Sequence, residues 1–136
     1  MKRSRDSEAI FAIRDLTFQP GHTKFTVHDE SVKWGFGERF QRRFHVADGK
    51  WTIWNRDKPW KIDEGRAGVS EQTYGHHPLY LARSRQSKLY HLAYFKNTHG
   101  LLVESSSNSN ELIYNSIGGP LHFLVLLGQA DPEPVL

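Results

Sequence analysis

Apolar or alternating residues in this chain come in runs of three to seven, and clusters of Gly, Pro, Asn and Asp separate most of them before a helix could complete three turns. The runs fall at 24–27, 50–54, 79–82, 89–95, 101–103 and 121–127. Their alternation and spacing predict strands, and no stretch of ten residues carries a helical period. An all-β protein follows.

Two connections can be read further. The segments "KLYHLAYF" and "GLLVESS" flank "KNTHG", whose terminal Gly100 predicts a hairpin with its two strands as antiparallel neighbours. The run "LHFLVLL" carries apolar residues on both alternating faces, which predicts a central strand covered on two sides. The tract "SSSNSN", residues 105–110, reads as a solvated turn. Residues 59–73 form a long charged connection, of the kind that more often serves a site than merely joins two strands.

With 136 residues the chain has the length of one domain. Acids and bases are interleaved to a net charge of only +3, a weak footprint for nucleic acid. The basic clusters "RSR" and "RSRQSK" read as solvated loops, so no nucleic-acid partner is expected. The absence of cysteine removes disulfides, thiolate metal sites and thiol nucleophiles. The apolar part of the opening, residues 9–13, is too short for a signal peptide, and no run approaches the ~18 residues of a membrane span. No membrane partner is expected, and the compartment stays open.

Three of the four tryptophans sit in "WTIWNRDKPW", residues 51–60. Indole faces stack on the C–H faces of sugars, and a carboxylate accepts paired hydrogen bonds from vicinal hydroxyls, so aromatic plus acid is a common sugar-site composition. The plainer alternative makes Trp51 and Trp54 strand residues facing a core, with Arg56 and Asp57 paired in the turn that follows.

Around that segment stand "GFGERF" from residue 35, "TYGHHPLYL", "HGLLVESSSNS" and "IYNSIGGPLHFLVLLGQADPEPVL". Together with "WTIWNRD" and in this order, they resemble the amino-terminal region of glycoside hydrolase family 31, on its α-glucosidase side, over residues 35–136. Residues 1–34 are then a lead-in carrying partial sandwich strands. The resemblance implies an antiparallel β-sandwich of the galactose-mutarotase type, incomplete because the lead-in is short, packed in the family against a (β/α)8 barrel. It implies that Asp57 contacts an α-glucoside or oligosaccharide. Trp54, Arg56 and Trp60 are the candidates for stacking on the sugar or shaping the loop, with Asn55 beside them. The insertion at 61–72 lengthens that loop relative to many members.

The resemblance implies no catalytic residue here. Retaining hydrolysis needs two carboxyl groups about 5 Å apart, and the family's pair lies in the barrel, beyond the segment matching "LGQADPEPVL". Glu38 and Arg39 are adjacent on a presumed strand and so face opposite ways, and nothing fixes a distance between Asp57 and Asp63, Glu64 or Glu71. The serine-rich tract has no nucleophile elbow. Among the eight histidines, His76 and His77 are adjacent and lack the spacing that would bring His91 or His99 to the same metal, so no metal or cofactor is expected. A stand-alone carbohydrate-binding module with the tryptophans as platform is the alternative.

Overall fold

The computed structural model describes residues 11–37, 39–40, 45–54, 69–72, 75 and 77–128. Alternation decides the strands. In Glu111–Ser116, the residues Leu112, Tyr114 and Ser116 are buried while their neighbours stay partly open. In Tyr90–Phe95, His91, Ala93 and Phe95 turn inward in the same way.

Eleven strands are formed among the described residues. In chain order they are β1 (Phe11–Gln19), β2 (His22–Asp29), β3 (Ser31–Gly35), β4 (Arg39–Phe40), β5 (Gly49–Ile53), β6 (Val69–Gln72), β7 (Leu79–Ser84), β8 (Tyr90–Phe95), β9 (Leu101–Ser106), β10 (Glu111–Ser116) and β11 (Phe123–Leu127). Seven of them make one sheet in the order β1-β2-β10-β9-β5-β6-β4, and four make a second in the order β11-β8-β7-β3. Neighbours are antiparallel except β5 and β6, whose short pairing is parallel.

The two sheets bury their inner faces against each other. Phe25 and Val27 of β2, Trp51 and Ile53 of β5, Leu101 and Val103 of β9, and Leu112 and Tyr114 of β10 meet Tyr80, Ala82, Ala93 and Phe95 of the smaller sheet. Aromatic rings fill the middle: Phe25 stacks on Tyr114 at 4.8 Å between centroids, and Phe95 meets Phe25 edge-on at 5.1 Å. Each such ring contributes about 2 kcal/mol or more by leaving water. The all-β fold expected from the punctuation is therefore present, and it takes the form of the β-sandwich that the resemblance implies.

The turn Gly35-Phe36-Gly37 has positive φ at all three residues, 143°, 67° and 81°. Phe36 accepts this conformation because its ring is fully buried against Trp51 and Tyr80. Gly35 has no alternative, since a Cβ there would stand 2.4 Å from the Leu79 carbonyl oxygen.

Three expectations need correction. First, β8 and β9 are not a hairpin: β8 pairs with β7 and β11, whereas β9 pairs with β10 and β5. Residues 96–100 carry the chain from one sheet to the other, so Ala93 and Phe95 face Leu101 and Val103 across the core instead of lying beside them. Second, β11 is the end strand of its sheet, with Leu124 to Leu127 exposed on both faces. Only Phe123 reaches the core, and no described strand pairs with the outer edge of β11. Third, the long connection is not structureless throughout, because Val69–Gln72 forms β6. The serine-rich tract is a turn over 107–110, its first two serines still belonging to β9.

Candidate functional site

Trp54 follows the last residue of β5, where Ile53 pairs with Leu101. Its side chain is 51% exposed, unlike that of Trp51, which is buried with its indole N–H donating to the Ala47 carbonyl at 3.1 Å. The six-membered part of the Trp54 indole lies directly on Gly100: a Cβ there would come within 2.5 Å of Cε3 and Cζ3, and within 3.2 Å of Ile117 Cδ1. Glycine at 100 is what lets an indole rest on the backbone.

Two loops build the rim around it, and Asn97 ties them. Its buried side-chain amide donates to Ser116 Oγ at 3.2 Å and to the Gly118 carbonyl at 2.8 Å, while Oδ1 accepts from the His99 amide at 2.8 Å. The Ser116 hydroxyl donates in turn to Gly118 O at 2.7 Å, and the Ile117 amide to Gly100 O at 3.1 Å. Above this network stand Trp54, Ile117 and His99, all exposed. An exposed indole face resting on a glycine backbone suits stacking on a polyol.

Of the residues singled out from the sequence, Trp54 stands on this rim. Asn55, Arg56, Asp57, Trp60, Asp63, Glu64, Glu38 and His76 lie outside the described residues. Arg39 is in β4 and Glu71 in β6. His77 and His99 are exposed, and among the described residues no three His, Asp or Glu side chains gather where they could hold a metal ion.

His91 belongs to a buried cluster that sequence reading missed. Asp29, fully buried at the end of β2, accepts at Oδ2 from the Tyr80 hydroxyl and from His91 Nε2, both at 2.9 Å, so one carboxylate of the larger sheet holds two donors of the smaller. Lys33 Nζ donates to the backbone carbonyls of Asp29 at 2.6 Å and Ser31 at 3.1 Å. Burial alone would raise the Asp29 pKa. The His91 hydrogen bond, the Lys33 charge and the neighbouring Ser31 hydroxyl outweigh it and hold the carboxyl below its ordinary value. Burial, with Tyr114 and Asp29 adding to it, pushes the Tyr80 hydroxyl well above the usual phenol range. Asp29, Tyr80 and His91 are buried, and together they serve as an inter-sheet clamp. Period two was the available signal: Asp29 shares a face with Phe25 and Val27, and His91 with Ala93 and Phe95.

Two largely antiparallel sheets closed on an aromatic layer, with a rigid aromatic rim at one end, define a β-sandwich with a surface suited to a small polar ligand. Over its whole length the chain is 29% identical, across 140 aligned positions, to the lysosomal acid alpha-glucosidase of Tetrahymena pyriformis, and it spans 15% of that protein. No protein-family profile matches the chain. The similarity supports the resemblance to family 31 at the level of a glycosidase-related region.

Proposed function

We propose that this chain is the β-sandwich region, of galactose-mutarotase type, of an α-glucosidase-like glycoside hydrolase. In this reading it carries out no hydrolysis itself and contributes one loop to a sugar site that a (β/α)8 barrel outside residues 1–136 completes. Asp57 hydrogen-bonds an α-glucoside, while Asn55, Arg56 and Trp60 shape the loop. The observation that carries the proposal is the end-to-end similarity to an α-glucosidase. The position of Trp54 supports it: the chain leaves β5 at that residue, immediately before "NRD".

The test is an assay of the purified chain with an α-glucoside whose released aglycone is coloured. No turnover is expected. Hydrolysis that disappears when one of the chain's own acids is changed would overturn the reading.

The exposed indole on the rim favours a second reading, a carbohydrate-binding module that works alone. Under that reading maltose binds the isolated chain, and Trp54→Ala or Trp60→Ala abolishes the binding. A flat calorimetric titration with maltose excludes it.

A further inference from the structure

At the end of the sandwich opposite Trp54, a cleft of about 300 Å³ opens between the start of β3, the approach to β5 and the turn joining β9 to β10. That volume is at the lower limit of small-molecule sites, enough for a monosaccharide derivative and too little for a sugar chain.

Its ionisable lining is Lys33, His45, Asp48 and Arg85, with the Ser105–Ser107 segment and Asn110 completing the wall. Asp48, the one acid among them, is already engaged: Oδ1 accepts from the Ser107 amide at 2.6 Å and Oδ2 from its hydroxyl at 2.8 Å. Lys33 is fixed by its two backbone carbonyl acceptors, which use two of the three ammonium hydrogens and leave one for a ligand. Burial lowers the Lys33 pKa, Asp29 works against that, and the Arg85 charge lowers it again. Both cations line the cleft, and the Arg85 charge weakly disfavours that of Lys33.

We infer that this cleft binds a small oxyanion, a phosphate or sulfate group either free or carried on a monosaccharide. Lys33 supplies a fixed charge from the floor, and Arg85 closes on the anion from the surface with its forked donors. Such an anion offsets the effect of the Arg85 charge on Lys33 and takes the remaining Lys33 hydrogen. This inference is independent of the sugar contact proposed for Asp57.

The experiment is a titration of the full chain, followed by amide NMR at constant ionic strength, with inorganic phosphate, glucose 6-phosphate and glucose as probes. Saturable shifts confined to residues 31–33, 45–48, 85 and 105–110 are expected with the two phosphates and not with glucose. Equal affinities assign the site to the free ion, and tighter binding of glucose 6-phosphate assigns it to a phosphosugar. Arg85 is exposed, so Arg85→Gln and Arg85→Glu leave the fold intact, which the remaining amide spectrum verifies. The first should weaken binding about tenfold and the second should abolish it. Absence of saturation, the same shifts with glucose, or an unchanged affinity in Arg85→Glu would each overturn the inference.

Discussion

Asp29 holds the two sheets together through a single oxygen, and its ionisation is part of that grip. Because its folded pKa lies below the 3.8 of an ordinary aspartate, the unfolded chain takes up a proton before the folded one does. The stabilisation is whole above that ordinary value and is lost as pH falls through the folded value. Asp29→Asn should cost about 2 kcal/mol near neutrality, since a neutral amide replaces a charged acceptor facing two buried donors. It should also flatten the acid side of the stability profile, as urea unfolding between about pH 7 and about pH 3 would reveal. Gly35 is a second point of vulnerability. Gly35→Ala meets the Leu79 carbonyl and is strained at φ 143°, and a loss of about 3 kcal/mol, read from the same urea curves, is expected.

Among the elements, β11 stands out because Leu126 and Leu127 are 65% and 87% exposed on an end strand. Apolar end strands recruit other strands, so Leu127→Lys should reduce self-association in light scattering while leaving the unfolding midpoint within about 0.5 kcal/mol of its original stability. β1, β3, β4, β6 and β10 fall outside the apolar runs, but the positions of the other six strands were legible in the sequence, because alternation and punctuation act within a few residues. Partnership was not. A five-residue connection ending in glycine closes a hairpin or crosses between sheets equally well, and what decides for crossing is Asn97, bonded to residues about twenty positions further on. The apolar pattern of β11 likewise does not distinguish a covered central strand from an end strand with both faces exposed. At the rim, Trp54 was legible as a candidate from composition. Its support was not: nothing local links Gly100 to an indole, or Asp29 to partners 51 and 62 residues away.

For the whole molecule, the larger sheet decides what can fold by itself. Among the described residues β2 lies between β1 and β10, and β10 is the strand that joins β2 to β9. A chain cut after Ser109 would lose Leu112 and Tyr114 from the core and leave β2 and β9 unconnected. Such a fragment should show no cooperative thermal transition, whereas the full chain should melt in one step, as calorimetry would show.

That same pairing sets a clock. Phe25 stacks on Tyr114, a partner made almost ninety residues later on the ribosome, so β2 lacks its neighbour on the β10 side until the tenth strand emerges. At about ten residues per second the wait is on the order of ten seconds. During it the β10 edge of β2 stays unpaired, and in the cell that interval belongs to whatever chaperone reaches it first.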